Sequence, residues 1–184
     1  MSIDYLRSEY GGQKYFLITA YYILLKRFLP SFLPGDRDIK RKPNRVVFVC
    51  KGNICRSAFA HQYLLSKGFH NVASFGLCTK TGLPIEPNIG GIAKGLGIET
   101  DQHVSTSHID FVPESGDLFV CMEPKQVAQI RSVLGDVSVV LLGNFLIDKR
   151  PYLTDPYATN AKYMRRSLEL IMQSVDRLYS DEIS

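Results

Sequence analysis

Cysteine is scarce in this chain of 184 residues, and no pair of cysteines has the C-x2-C spacing. The four that occur are Cys50, Cys55, Cys78 and Cys121. They are too few and too scattered for a secreted domain held together by disulfides. None of the four histidines lies at a metal-ligand spacing from a cysteine, which argues against a structural zinc site. We therefore expect a reduced, cytoplasmic protein that needs no metal and no other cofactor.

The chain also lacks a long hydrophobic run. The longest, Tyr15–Leu25, has eleven residues and stops at Lys26 and Arg27. A transmembrane helix needs about 20 apolar residues, and extending the run to the next apolar residues would bury two cations and a proline. A signal peptide is not expected either, because no small-residue cleavage site follows and Asp4 and Glu9 lie in the leader.

Most of the chain has no excess of positive charge. The formal net charge is +4, from 22 Lys and Arg against 18 Asp and Glu. Residues 1–45 carry nine basic and four acidic side chains, whereas residues 46–184 carry 13 basic and 14 acidic ones. The basic balance thus belongs to the N-terminal quarter, and it gives no reason to expect nucleic-acid binding by the main body.

We predict that residues 1–45 form an extension and that residues 46–184 form one domain. Apolar residues in the extension recur at helical spacing around most of a helix. Three interpretations stay open: a helix packed on the body or on a second copy, a helix that contacts a membrane surface or a protein through residues 15–33, and a disordered leader. The first is the leading interpretation, and the observation behind the second is the set of flanking cations, which are Lys26, Arg27, Lys40, Arg41 and Lys42. Residues 34–43 carry charges and turn formers without periodicity, which predicts a linker.

Along the body, short apolar runs rich in β-branched residues alternate with segments of helical length. Strands are predicted at 46–49, 72–75, 118–122 and 137–142, and helices at 57–67, 87–96, 124–134 and 160–179. This alternation predicts an α/β fold with a parallel sheet and helices on both faces. Ligands of such sheets bind beyond the carboxyl ends of the strands, where the strand order reverses. The first strand ends at Cys50, which predicts a ligand-binding site in the loop that follows it.

After this strand the chain reads Cys50-Lys51-Gly52-Asn53-Ile54-Cys55-Arg56-Ser57, and then a helix begins. The backbone amides of such a loop and the N-terminus of the helix form an anion site that fits a phosphate. Gly52 and Asn53 are residue types that accept the positive φ of a tight loop, and Arg56 can hold two phosphate oxygens. The same field favours the thiolate form of Cys50, to which Ser57 can donate a hydrogen bond. The pattern of nucleotide-binding P-loops, G-x-x-x-x-G-K-[ST], is absent.

Transfer of a phosphoryl group to sulfur needs a proton for the departing oxygen. The best candidate is Asp155, in Thr154-Asp155-Pro156-Tyr157 just before the last predicted helix. Pro156 disfavours the helical conformation at Asp155, which suits a side chain that reaches over a cleft. Taken alone, an Asp-Pro pair is more typical of a plain turn, and only its combination with the Cys50 loop makes it a candidate acid. Tyr157 is a candidate to flank an aromatic substrate, or it serves packing.

The segment Val49–Ser57, together with Asp155-Pro156-Tyr157, resembles the low-molecular-weight protein tyrosine phosphatases. The resemblance covers about residues 44–180. The segment at 72–77, which is followed by a glycine at position 82, looks closer to the bacterial members tied to exopolysaccharide production than to eukaryotic ones.

This resemblance implies a four-stranded parallel sheet and a two-step reaction without a metal. In the first step Cys50 attacks phosphotyrosine and Asp155 protonates the leaving phenol; in the second Asp155 activates a water that hydrolyses the cysteinyl-phosphate. Arg56 and the loop hold the phosphate throughout. The phosphate loop is formed by Lys51, Gly52, Asn53, Ile54, Cys55 and Ser57, and the residues that brace it by hydrogen bonds are Asn53, Ser57, Ser74 and His103. Cys55 lies where family members form a reversible disulfide with the nucleophile, although it can also be a buried loop residue.

The rim of the expected site differs from the family pattern. Lys51 stands in place of an apolar residue, and Cys78-Thr79-Lys80 replaces a wall that is aromatic in many members. We expect Lys51, Thr79, Lys80 and Tyr157 to line this rim, where the two lysines would favour acidic phosphopeptides. The expected partner is a phosphotyrosine protein, and a bacterial tyrosine kinase or polysaccharide-export protein is suggested by resemblance alone.

Three other functions are alternatives to phosphotyrosine hydrolysis. Arsenate reductase shares the scaffold but passes a disulfide to two further cysteines, and Cys121 has no partner nearby in the sequence. A protein-arginine phosphatase is disfavoured by Ile54, because a threonine there accompanies that specificity. A non-catalytic phosphate-binding or assembly module acting through residues 1–45 would be expected to lose Cys50 or Asp155, and both are present. The expected location is cytoplasmic, with a peripheral contact to the inner membrane left open and no oligomeric state predicted.

Overall fold

In the computed structural model, residues 2–29, 33–35, 39 and 42–180 are described. The strands are β1 (Arg45–Cys50), β2 (Val72–Gly76), β3 (Asp117–Cys121) and β4 (Val139–Leu141). They form one parallel sheet in the order β2-β1-β3-β4. Val47 of β1 lies opposite Ala73 of β2 and Phe119 of β3. The predicted α/β class and four-stranded parallel sheet are thereby confirmed.

Helices precede the sheet and cover both of its faces. In the described residues they are α1 (Ile3–Glu9), α2 (Gln13–Phe28), α3 (Arg56–Ser66), α4 (Pro87–Gly95), α5 (Pro124–Leu134) and α6 (Ala161–Leu178). A short 3-10 turn, Leu142–Phe145, follows β4. The four body helices agree with the predicted segments to within a residue or two, whereas α1 was not predicted. Polar caps explain two of the starts: Glu86 accepts from the amide of Ile89 and Asn160 from that of Tyr163.

Strand β1 is the centre of the core and is buried on both faces. Val46 and Phe48 pack into one hydrophobic cluster, and Val47 and Val49 pack into a second one on the opposite face. A strand covered by helices on both sides needs apolar residues at every position, which explains the unbroken apolar run in the sequence. The burial holds the end of β1, and with it Cys50, in a fixed position.

The N-terminal extension packs on this body. On α2, Tyr22 and Leu25 pack against the second cluster, which also contains the buried Leu33. The carbonyl of Pro34 accepts hydrogen bonds from the side chain of Asn144 at 2.6 Å and from the amide of Leu141 at 3.3 Å. The start of the predicted linker is therefore tied to the body, which a free linker would not be. Residues 36–38, Lys40 and Arg41 lie outside the described residues, and none of the helices in the described part is long and apolar enough to cross a membrane.

Candidate active site

The loop after β1 lies at the point where the strand order reverses. Strand β1 has β2 on one side and β3 on the other, so its carboxyl end opens into the crevice where such sheets bind ligands. Neighbouring segments hold the loop through hydrogen bonds to its carbonyls. The backbone amides of Leu77, Cys78 and Glu86 donate to the carbonyls of Cys50, Lys51 and Ile54, respectively, at 2.8–3.0 Å. With its carbonyls engaged in this way, the loop keeps its amides for an anion.

The thiol of Cys50 is buried and has two hydrogen-bond donors. Its Sγ accepts from the backbone amide of Asn53 at 3.2 Å and from Oγ of Ser57 at 2.9 Å. The hydrogen bond predicted from Ser57 is therefore present, and Cys50 is held at the end of a buried strand.

Asn53 holds the shape of the loop. It is fully buried and has a positive φ of 51°, whereas Gly52 is not among the residues with positive φ, so the expectation of positive φ was correct only for Asn53. Its side-chain amide donates to Oγ of Ser57 and to Oγ of Ser74, both at 2.9 Å, and its Oδ1 accepts from the amide of Thr106 at 2.8 Å. This side chain thus ties the loop to the start of α3, to β2 and to the segment that contains Thr106.

Two neutral histidines complete this network. Nε2 of His103 lies 2.8 Å from the carbonyl of Asn53, which can only accept, so this ring nitrogen donates. Oγ of Ser74, which accepts from Asn53, also shares a hydrogen bond of 3.0 Å with Nδ1 of His61, whose direction is set by the tautomer of the ring. Burial lowers the pKa of both histidines, to about 4 in the case of His61, where the neighbouring His103 adds to the effect. Ser74 and His103 contact the loop as predicted, and His61, one turn after Ser57 on α3, was missed.

Arg56 is completely buried at the start of α3, and two fixed acceptors orient it. Its Nη1 donates to Oε1 of Glu123 at 2.7 Å and to the carbonyl of Leu153 at 2.9 Å. Its Nη2 lies 2.8 Å from Oδ2 of Asp155, and its Nε has no hydrogen-bond partner within the described part of the chain. The guanidinium therefore keeps an edge for the two oxygens of a bound phosphate.

Glu123 is a site residue that sequence reasoning missed. It is 2% exposed, and its Oε2 lies 3.0 Å from Nζ of Lys125. Burial acts to raise the pKa of Glu123, but Arg56 and Lys125 outweigh it and hold the pKa below the ordinary value. The carboxylate is thus ionised beside Arg56. A signal was available, because Glu123 directly follows the predicted strand 118–122 and the carboxyl ends of neighbouring parallel strands meet.

Asp155 faces Cys50 across a cleft of about 160 Å³. The residues that line the cleft are Cys50, Lys51, Gly52, Ile54, Cys55, Cys78, Asp155 and Tyr157. The side chain of Asp155 is 32% exposed, and its Oδ1 accepts from the amide of Tyr157 at 3.3 Å. The structure thus brings together the predicted loop, acid and tyrosine, but of the segment 78–80 only Cys78 lines the cleft.

This arrangement has the parts needed for displacement at phosphorus. It combines a thiol with two donors, a buried guanidinium, a set of loop amides and a carboxyl group that can give or take a proton. The described residues contain no group of three or more His, Cys, Asp or Glu side chains that could hold a metal ion. The fold and the site together define a phosphatase that forms its intermediate on cysteine.

Comparison with known proteins gives the family. The model of the low molecular weight phosphotyrosine protein phosphatase family matches residues 45–183, and the chain therefore belongs to this family. The low molecular weight protein-tyrosine-phosphatase Wzb of Salmonella typhi is 29% identical over 119 residues, which are 62% of this chain and 77% of that protein. A probable low molecular weight protein-tyrosine-phosphatase, EpsP of Ralstonia nicotianae, is 30% identical over 135 residues, or 71% of this chain and 90% of the relative.

Solved structures agree on the fold. The tyrosine phosphatase AmsI of Erwinia amylovora superposes with a TM-score of 0.70 at 19% identity, over 79% of this chain and 97% of that one. Wzb of Escherichia coli K30, solved with sulphate, gives 0.67 at 22% identity, over 75% and 97%. The YwlE arginine phosphatase of Geobacillus stearothermophilus gives 0.64 at 25% identity, over 75% and 92%. Residues before position 45 lie outside the family match.

Proposed function

We propose that this protein hydrolyses phosphotyrosine in proteins through a cysteinyl-phosphate on Cys50, with Arg56 holding the phosphate and Asp155 as acid and base. The observation that carries the proposal is that Cys50 and Asp155 line one cleft and that the buried Arg56 contacts Asp155. The Sγ of Cys50 accepts two hydrogen bonds, and Arg56 lies 2.8 Å from Asp155. Family membership supports the same chemistry.

In the first step the phosphate binds to the loop amides and to Nε and Nη2 of Arg56. The phosphate competes with Asp155 for Nη2, which frees the acid to turn toward the ester oxygen. Sulfur of Cys50 then attacks phosphorus, the bond from phosphorus to the phenolic oxygen breaks, and Asp155 gives its proton to that oxygen. The loop amides and Arg56 stabilise the charge on the three equatorial oxygens as it develops.

In the second step the thiolate is the leaving group. Asp155, now a carboxylate, takes a proton from a water, and the water oxygen attacks phosphorus as the bond between sulfur and phosphorus breaks. The hydrogen bonds from Ser57 and from the amide of Asn53 stabilise the sulfur as it regains its negative charge. Inorganic phosphate leaves, and the site returns to its starting state.

Rates on three substrates test this proposal. We expect turnover of 4-nitrophenyl phosphate and of a phosphotyrosine peptide that is insensitive to chelators and is abolished by Cys50→Ser. A phosphoarginine peptide should be a poor substrate, because the cleft presents the apolar Ile54. Activity that survives Cys50→Ser would refute the mechanism, and faster hydrolysis of phosphoarginine would favour the arginine phosphatase.

Arsenate reduction is the second enzymatic candidate for this cleft. It would need further thiols that accept the disulfide. Cys121 is completely buried in β3, and its burial raises the pKa of its thiol. A thiol in that state is a poor relay, so we expect no arsenate-dependent consumption of thioredoxin or glutathione, measured beside the phosphatase rate.

For the physiological substrate we propose a bacterial tyrosine kinase or a polysaccharide-export protein. The proposal rests on the segment at 72–77, which resembles exopolysaccharide-associated members of the family. Asp155→Ala should retain its substrate, since phosphate binding is kept and the leaving group lacks its proton. Captured phosphotyrosine proteins are then identified by mass spectrometry, with Cys50→Ser as a second trap. Capture of serine phosphoproteins alone would contradict the proposal.

The outer face of α2 supports a contact with an anionic membrane surface. Four apolar side chains spaced along one face are 55–74% exposed, namely Leu17, Tyr21, Leu24 and Phe28. The helix carries Lys14, Lys26 and Arg27 but no acidic residue. An apolar stripe with flanking cations is the pattern of helices that lie in the headgroup layer, and 16 residues give it a length of about 24 Å.

Sedimentation with vesicles tests the membrane contact. We expect binding to phosphatidylcholine vesicles that contain phosphatidylglycerol, weaker binding to phosphatidylcholine alone, and loss of binding in the variant Leu24→Asp, Phe28→Asp. Ile109→Asp, at a position 80% exposed on the body, is the matched control and should bind normally. Absence of vesicle binding would refute the membrane contact, and a dimer in analytical ultracentrifugation that the same variant abolishes would assign the stripe to a second copy instead.

Cys55 is proposed as the redox partner of Cys50. It is 3% exposed, and burial, with the nearby Asp155 and Cys50, raises the pKa of its thiol. Peroxide would therefore oxidise Cys50 first, to a sulfenic acid; the Cys55 thiol then attacks this sulfur and water leaves. We expect a Cys50–Cys55 disulfide that thiols reduce. Sulfonic acid at Cys50, or a crosslink to the exposed Cys78 of the same cleft, would contradict the assignment.

A further inference from the structure

Asp155 lies in a segment whose outer side is covered by residues from outside the family match. Residues 150–160 are the later part of the connection between the 3-10 turn and α6, and Asp155 is at the middle of this segment. The family match begins at residue 45, so α1 and α2 belong to this chain's own extension. Both helices contact the segment, α1 at Arg150 and Asn160 and α2 at Tyr152.

Glu9, the last residue of α1, ties the start of this segment to α6. Its carboxylate lies 2.9 Å from Nη1 of Arg150 and accepts two hydrogen bonds from Arg166, at 2.8 and 2.9 Å. The side chains of Glu9 and Arg150 are only 16% and 10% exposed, so the charges are largely shielded from water. The guanidinium of Arg150 also lies 4.9 Å from the centre of the Tyr10 ring.

Two further contacts of the extension lie closer to Asp155 along the chain. Tyr22 of α2 stacks on Tyr152, with ring centres 5.8 Å apart and planes within 11° of parallel. Gly11 has a φ of +82°, and a Cβ built on it would lie 3.2 Å from the Tyr163 ring and 3.3 Å from Thr154. The connection between α1 and α2 thus passes so close to Thr154 that glycine fits best there.

The inner side of the same segment contacts the catalytic residues. The carbonyl of Leu153 accepts a hydrogen bond from Nη1 of Arg56, and its amide donates to the carbonyl of Met122 at 2.9 Å. Next to it, Thr154 has its carbonyl held by the hydroxyl of Tyr163 at 3.3 Å. Along the segment, two kinds of residue therefore alternate. Tyr152 and Thr154 touch the extension, whereas Leu153 and Asp155 belong to the site. A shift of the outer residues moves Asp155 with them, whereas the guanidinium of Arg56 stays held by Glu123.

We propose that the extension positions the general acid: α1 and α2, through Glu9 and Tyr22, hold the segment 150–160 so that Asp155 reaches the leaving oxygen. Glu9 and Tyr22 are positioning residues, since neither lines the cleft. The inference rests on the proposed function of Asp155. It assigns to this extension a role in the proton-transfer step and none in phosphate binding, which the loop and Arg56 carry.

Leaving groups of different basicity test the proposal, because a good leaving group needs no proton. In Glu9→Gln we expect kcat/KM for phenyl phosphate to fall about 10-fold, against a fall of at most about 2-fold for 2,4-dinitrophenyl phosphate, since positioned acids contribute about 10²–10⁴-fold. Inhibition by inorganic phosphate should not change. Tyr22→Leu, which removes the stacking but no charge, should shift the same ratio in the same direction.

The matched control is Glu169→Gln, which removes an exposed ion pair with Arg165 on α6 and should leave both rates unchanged. In an Asp155→Asn background, Glu9→Gln should have no further effect on the leaving-group ratio. Equal losses on both substrates, or no loss in a variant with normal thermal unfolding, would overturn the proposal. If Asp155→Asn itself leaves the ratio unchanged, the assignment of the acid has failed instead.

Discussion

Oε1 of Glu123 lies 2.7 Å from Nη1 of Arg56, and both side chains are at least 97% buried. The pair joins the carboxyl ends of β1 and β3 and fixes the plane of the guanidinium that receives the phosphate. Because the charges compensate each other away from water, the loss of Glu123 leaves the buried Arg56 with the partly exposed Asp155 as its remaining charge partner among the described residues, which is destabilising.

We therefore predict that Glu123→Ala lowers the free energy of unfolding by about 3–5 kcal/mol, and that Glu123→Gln lowers it less while reducing kcat/KM on 4-nitrophenyl phosphate about 10-fold. Urea unfolding and steady-state kinetics measure the two effects. The control is Glu114→Gln, whose side chain is 61% exposed and pairs with Arg45, and which should cost under about 1 kcal/mol. Equal costs at the two positions would refute the buried-pair argument.

Gly76 sets the distance between β2 and the phosphate loop. A Cβ at this position would lie 2.8 Å from the carbonyl carbon of Gly52 and 2.9 Å from the amide nitrogen of Asn53. Backbone atoms cannot yield as a flexible side chain does, so Gly76→Ala must displace the loop. We expect phosphate inhibition to weaken at least about 10-fold. Gly91→Ala on α4, where a Cβ meets nothing, should stabilise the fold by about 0.5–1 kcal/mol.

Lys51 is the lysine of the predicted rim that lines the cleft, whereas Lys80 does not line it. We predict that Lys51→Ala raises KM about 3–10-fold for a phosphotyrosine peptide with acidic neighbours, a loss of about 0.7–1.4 kcal/mol. The rate on 4-nitrophenyl phosphate should change less, because this substrate has no acidic neighbours. Because the attraction is electrostatic, the effect should shrink at high salt. Lys80→Ala is the comparison, and an equal effect of both variants would assign peptide charge selection to the wider surface.

The sequence predicted the sheet and the loop because both depend on local pattern. The apolar run that ends at Cys50 and the glycine, asparagine and arginine after it are contiguous, so their joint geometry can be inferred from the chain. Glu123 was missed because it is brought to Arg56 only by the pairing of β1 with β3. The contacts of Glu9 with Arg150 and Arg166 join residues more than 140 positions apart, and no pattern within α1 indicates them.

His61 gives the protein a dependence of stability on pH. Burial lowers its pKa to about 4 from an ordinary 6.5, so the unfolded chain binds a proton at pH 5 that the folded chain does not. The contribution of the neutral His61 to stability is complete above pH 6.5 and is lost as the pH falls toward 4.

We predict that the wild type loses about 1–2 kcal/mol of unfolding free energy between pH 7.5 and 5.0 from this group. His61→Asn, which keeps an acceptor for Ser74, should lose correspondingly less in urea unfolding at the two pH values, whereas the exposed His70→Asn should match the wild type. An unchanged pH dependence in His61→Asn would show that the loss originates elsewhere, with the other buried histidine, His103, as the next group to substitute.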